Sequence, residues 1–98
     1  MEQLNRITDK LDHGALLNRA LLRRAKGDLD GALADYTLAI AINPEHAESY
    51  LNRGVCRLLQ FKDAEADQDF ETCLKLKPDL KDTVATETAA AKKNRDKK

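Results

Sequence analysis

Residues 16–44 read LLNRALLRRAKGDLDGALADYTLAIAINP, and residues 50–78 read YLNRGVCRLLQFKDAEADQDFETCLKLKP. The second stretch is the first displaced by 34 positions. Leu17-Asn18-Arg19 falls on Leu51-Asn52-Arg53, Arg23 on Arg57, Ala32 on Ala66, Asp35 on Asp69 and Pro44 on Pro78. Other pairs agree in kind: Leu16 with Tyr50, Ala20 with Gly54, Tyr36 with Phe70, Ala39 with Cys73, Ile40 with Leu74 and Ile42 with Leu76. The agreement follows large, small and aromatic positions and not scattered charges. Two copies of one structural unit account for it.

Each copy divides into two helices. The first helix of copy one runs to Gly27, a residue free to take the left-handed conformation that ends a helix. Asp28 or Asp30 then caps a second helix. Leu29, Ala32, Leu33, Tyr36, Ala39, Ile40 and Ile42 recur there at spacings of three and four, an apolar stripe of helical period. Asn43-Pro44 stops it, because proline lacks a donor and disfavours helical geometry in the residue before it. Copy two predicts helices near 47–60 and 64–76 with a turn around Phe61-Lys62-Asp63, then Lys77-Pro78. Connections this short force antiparallel hairpins. Small residues let each hairpin close: Ala20 and Ala32 make room for Tyr36, and Gly54 and Ala66 make room for Phe70. A large residue at any of those small positions overpacks the contact, at about 1–3 kcal/mol.

Outside the copies, residues 1–12 carry Leu4, Ile7 and Leu11 on one helical face. They extend the first helix or form a short one of their own, with Gly14 as the break. After Pro78, the segment 81–98 presents Val84, Ala85, Thr88, Ala89 and Ala91 as an apolar face, with Asp79 or Asp82 as start cap. Its terminal lysines suit the negative end of a helix dipole.

The chain of 98 residues is one domain's worth. Seventeen basic residues balance 17 acidic ones, so no global field favours nucleic acid or an anionic membrane. The basic tail, Lys92, Lys93, Arg95, Lys97 and Lys98, has no interleaved aromatics and reads as a solvated helix end. No apolar run approaches the ~20 residues of a membrane span, and the first residues are not a signal peptide. A cytoplasmic protein is expected. Cys56 and Cys73, with His13 and His46 apart from them, make a poor metal set and read as reduced core thiols. No metal or cofactor is expected. Ser49 has no GxSxG around it, and there is no Gly-rich phosphate loop or HExxH, so an enzyme is not expected. Asp35 and Asp69 each follow an arginine, Arg19 and Arg53, by sixteen residues. A bridge between the two helices of a hairpin is the favoured reading over a ligand-holding pair.

The large–xxx–small pairs Leu16/Ala20 and Tyr50/Gly54, together with Ala32/Ala66, Tyr36/Phe70, Ala39/Cys73 and Pro44/Pro78, resemble the tetratricopeptide repeat. The resemblance covers about residues 13–80, with 13–46 as repeat 1, 47–80 as repeat 2 and 81–98 as a capping helix with a basic tail. It implies an all-α fold of antiparallel hairpins stacked as a short right-handed superhelix of about five helices. Arg19, Arg23, Arg53 and Arg57 stand where the family usually has apolar residues. Phe61 stands where a glycine is usual, and Asp63 where an aromatic is.

The resemblance also implies a role, since the family is a protein-recognition scaffold whose first helices line a concave face. Carried over residue by residue, that face holds Leu17, Asn18, Leu21 and Arg24 from repeat 1. Repeat 2 contributes Leu51, Asn52, Val55 and Leu58. The family's clamp for chaperone C-terminal tails wants a lysine at Leu17 or Leu51 and an asparagine at Leu21 or Val55, which argues against that ligand. Asn18 and Asn52 are similar to the asparagine ladder of O-linked N-acetylglucosamine transferase, whose amides hold a peptide backbone. The leucines form an apolar strip of the kind that marks an interface. The expected partner is another protein, as a peptide or amphipathic helix, with self-association or membership of a longer protein as alternatives.

Overall fold

The computed structural model describes residues 12–96. The expected face of Leu4, Ile7 and Leu11 lies outside them, as do Lys97 and Lys98. The elements are α1 (His13–Ala25), α2 (Leu29–Ile42), α3 (Ala47–Leu59), α4 (Asp63–Leu76), a 3-10 turn (Pro78–Leu80) and α5 (Lys81–Arg95). Among the described residues the regular structure is all helical. α1 packs with α2, α3 with α4, α2 joins the hairpins through α3, and α5 lies against α3.

The ends of the helices follow from single residues. Asp12 caps α1, its Oδ1 accepting from the Ala15 amide at 2.8 Å. Of the two candidates for α2, Asp28 is the cap, accepting from the Gly31 amide at 2.9 Å. Gly27 takes φ +88°, and behind it the Asp28 amide donates to the Arg23 carbonyl at 2.8 Å. Thirty-four residues later the Lys62 amide donates to the Arg57 carbonyl at 2.8 Å, and Phe61 takes φ +62°. The same turn is thus made by a residue with a Cβ, at a cost of about 1–2 kcal/mol. α4 has no side-chain cap, because Lys62 stands where Asp28 stood; Asp63 and Glu65 in its first turn suit the dipole. Neither Asp79 nor Asp82 caps α5. The 3-10 turn takes in Asp79, Leu80 is the capping position with no side-chain bond, and Asp82 is already inside the helix.

Two clusters of buried side chains form the core. Ala20, Ala32, Tyr36 and Cys56 meet where α1, α2 and α3 converge. Ala47, Leu51, Val55 and Leu58 of α3 meet Ala66, Phe70 and Cys73 of α4 and Val84 and Ala91 of α5. Gly54 shows why the small positions are small: a Cβ there would stand 2.6 Å from Phe70 Cε1. Both cysteines are free thiols inside these clusters. Burial pushes the Cys56 thiol up to about 11 against the opposing pull of Arg24, and raises that of Cys73.

Candidate partner-binding face

The four arginines at usually apolar positions build two matched clamps. Asp35, almost wholly buried on α2, accepts from Arg19 Nε and Nη2 at 2.9 and 2.8 Å and from Arg23 Nη1 at 3.3 Å. Asp69 on α4 accepts from Arg53 Nε and Nη2 at 3.0 and 2.8 Å and from Arg57 Nη1 at 2.9 Å. Arg19 and Arg53 each meet their carboxylate through two bonds, the strongest geometry available to such a pair, and Arg23 and Arg57 add one bond each. The structure therefore places these aspartates as struts between the helices of each hairpin. Arg53 also reaches Thr37 Oγ1 of the first hairpin at 3.4 Å.

The expected binding residues divide. On α1, Asn18 is exposed, Leu21 is 44% exposed, and Leu17 and Arg24 are partly buried. Arg24 Nη1 itself is out of contact with solvent and without a hydrogen-bond partner. On α3, Asn52 is half-buried. Leu51 and Val55, however, are each 4% exposed and Leu58 is 1% exposed. The strip expected to lie open on α3 is core in this chain, because α5 closes over it beside the α4 residues Ala66, Phe70 and Cys73.

α5 makes that contact with few side chains. Val84 and Ala91 are buried, while Ala85 and Ala89 face solvent, so the inward row is Val84, Thr88, Ala91 and Arg95, one step round from the expected face. Thr88 Oγ1 is buried with no hydrogen-bond partner. Arg95 anchors the far end. Its Nη1 donates to the Leu58 carbonyl at 2.9 Å and to Asp63 Oδ1 at 2.6 Å, and its Nη2 to Asp63 Oδ2 at 3.1 Å. Its guanidinium carbon also sits 4.7 Å from the centre of the Phe61 ring. The Arg95 guanidinium holds the Asp63 carboxyl below the usual carboxylate range. Sequence reasoning assigned Arg95 to a solvated tail. The signal it passed over was the pair of departures at Phe61 and Asp63, which together make the receptor for this side chain.

A second grouping was also missed. The chain's two histidines meet at buried Ser49, whose Oγ is 2.8 Å from His46 Nδ1 and 3.2 Å from His13 Nε2. The rings stand edge to face at 4.5 Å. This contact ties the start of α1 to the start of α3. With no exposed surface, Ser49 offers nothing to a substrate. Among the described residues no three His, Cys, Asp or Glu side chains gather to hold a metal ion. No described helix is long and apolar enough to cross a membrane.

The outer face of α2 differs from that of α4. Ala34, Thr37, Leu38, Ala41 and Ile42 are exposed on α2; the same positions on α4 are Gln68, Glu71, Thr72, Lys75 and Leu76. Beyond Asp30 in its first turn, α2 thus shows solvent an uncharged, largely apolar helix face where its repeat shows charge.

Comparison with known proteins agrees with this architecture. A family model described as TPR repeat matches residues 20–60, and one described as tetratricopeptide repeat matches residues 47–80. The chain is 36% identical over 63 residues to tetratricopeptide repeat protein 36 of Bos taurus, a match covering 60% of this chain and 34% of the relative. The protein of the same name from Homo sapiens matches at 36% identity over 63 residues, covering 60% of this chain and 33% of its own. The match thus takes in about a third of the length of these curated relatives.

Proposed function

The chain belongs to the tetratricopeptide-repeat family, whose helical hairpins are general protein-interaction modules, and on that premise we propose that it is a non-catalytic, cytoplasmic adaptor that receives a peptide or helix of a partner protein along α1 and the adjoining edge of α3. The observation that carries this reading is the exposure of Leu21, beside Leu17 and Asn18, on the helix face that the family uses for partners. Leaving a leucine half exposed forgoes about 1 kcal/mol of burial that a bound partner recovers. Asn18 and Asn52 each offer a donor and an acceptor, matched to a peptide bond, and Arg24 adds a cation at the end of the row.

The test is selection of peptide ligands on the full chain, followed by titration of Leu21→Glu and Asn18→Ala. A loss of affinity of tenfold or more with unchanged melting is expected for Leu21→Glu. Equal affinity of both variants and the parent refutes the reading. Leu51→Glu does not serve here, because Leu51 is buried in the core and its replacement changes stability along with binding.

A second reading, self-association, is favoured by the uncharged outer face of α2. Two copies of its 34–42 portion can pair about a two-fold axis without burying a charge. Sedimentation velocity up to near-millimolar concentration tests it: a dimer abolished by Leu38→Lys supports it, and a monomer throughout removes it.

A further inference from the structure

The helix that covers Leu51, Val55 and Leu58 is poorly suited to stay there. Its buried contribution is one valine and one alanine, and between them it buries a threonine hydroxyl with no partner. An unpartnered buried hydroxyl is destabilising, which offsets much of what Val84 and Ala91 gain. Arg95 Nε is also buried without a partner. What holds the helix is therefore concentrated at its end, in the bonds from Arg95 to Asp63 and the Leu58 carbonyl and the stacking on Phe61. The seat beneath is the reverse: three large, apolar side chains of α3 in a row, with a carboxylate at the end.

We propose that α5 is a displaceable stand-in, occupying on α3 the place of a partner's amphipathic helix and released when the Arg95 latch opens. The proposal rests on the reading of the chain as a receptor for partner segments and extends its binding face from α1 onto α3. The stand-in describes the partner. Val84, Thr88, Ala91 and Arg95 stand at i, i+4, i+7 and i+11, one stripe of a helix. A better occupant carries leucine-sized residues at the first three positions, which removes the orphaned hydroxyl and fills the space over Leu51, Val55 and Leu58. It keeps a basic residue at the fourth, because Asp63 and the Leu58 carbonyl present only acceptors there. Tethering gives α5 an effective concentration on the order of millimolar, so even a better helix competes only when the latch is weakened.

The test uses the full chain, unaltered and as Arg95→Ala, and a synthetic peptide of residues 78–98 bearing V84L, T88L and A91L. Hydrogen exchange in Arg95→Ala is expected to speed up at least tenfold in α5 while α3 and α4 keep their protection. The peptide is expected to bind Arg95→Ala at least tenfold more tightly than the unaltered chain, and more weakly when it also carries R95A. If α5 amides exchange together with those of α3 and α4 in both chains, α5 is part of the core and the proposal fails, while binding along α1 stands. If α5 opens alone but the peptide does not bind, α3 is not a helix receptor and the proposal fails. The fate of the α1 face is then read separately from Leu21→Glu.

Discussion

Replacing Asp69 by alanine removes one carboxylate and strands two cations. Asp69 takes three hydrogen bonds from Arg53 and Arg57, whose side chains are only 15% and 23% exposed. Breaking a buried ion pair from one side costs about 3–5 kcal/mol, because the surviving charge keeps its desolvation penalty. Some water still reaches these guanidinium groups, so the low end, about 3 kcal/mol, applies. The first repeat supplies the control. Asp35 is as buried, but Arg19 and Arg23 are each 37% exposed and turn to water once released. Asp35→Ala is accordingly expected to cost about 1–2 kcal/mol. At about 4–8 °C per kcal/mol for a domain of this size, melting should fall by roughly 12–24 °C for Asp69→Ala and by about half that for Asp35→Ala. Thermal and urea unfolding followed by circular dichroism reads both. Equal losses, or a loss below about 1 kcal/mol at Asp69, would refute the argument from unequal shielding. Replacing Asp69, Arg53 and Arg57 together by apolar residues of similar volume should recover most of the loss.

Gly54→Ala should destabilise by about 1–3 kcal/mol in urea unfolding, since its methyl meets the Phe70 ring at 2.6 Å. Phe61→Gly relieves the left-handed backbone but forfeits the stacking of Arg95; the two nearly cancel. In the Arg95→Ala background the same change should therefore stabilise by about 1 kcal/mol, as a double-mutant cycle will show. Asp63 is held below its ordinary range by Arg95, so its contribution is present above about pH 4 and is lost as pH falls through the folded value. Protection of α5 amides relative to their intrinsic exchange rates should fall on acidification, and Asp63→Asn should abolish that dependence. Burial lifts Tyr36 to about 12 and Cys56 to about 11, so both favour the folded state while neutral. That stability is complete below about pH 8.5 and drains away as pH approaches 12, with tyrosinate absorbance and thiol alkylation of Cys56 appearing together with unfolding.

The hairpins were legible because their determinants are local or repeat at a fixed offset. Gly27, Asp28 and Pro44 act within a turn of where they stand, and the 34-residue register exposes Ala20/Gly54 and Tyr36/Phe70 as partners. The Arg19–Asp35 and Arg53–Asp69 struts were legible for the same reason, since the pair recurs once in each repeat. What escaped were contacts that occur once and span the array. Arg95 lies 32 residues from Asp63, and His13 lies 36 from Ser49. Nothing in either neighbourhood names the other. The burial of Leu51, Val55 and Leu58 escaped because it depends on where α5 lands, and an alanine-rich helix states its inward face weakly: Ala85 and Ala91 differ only in which one meets α3.

In this stack α3 stands against α2, α4 and α5, while α1 leans mainly on α2 and α5 on α3. The array is thus a keystone with two outriggers. Drawn apart by its ends, such a chain yields from the outside inward: α5 lets go when a single arginine slips, α1 follows with its hairpin partner, and α3 gives way last. A lesion in α1 falls mainly on its own hairpin, with a lesser effect on α3 through His13 and Ser49. One in α3 brings down every neighbour, so tolerance to sequence change should fall steeply toward the middle of the chain although the two repeats share one plan.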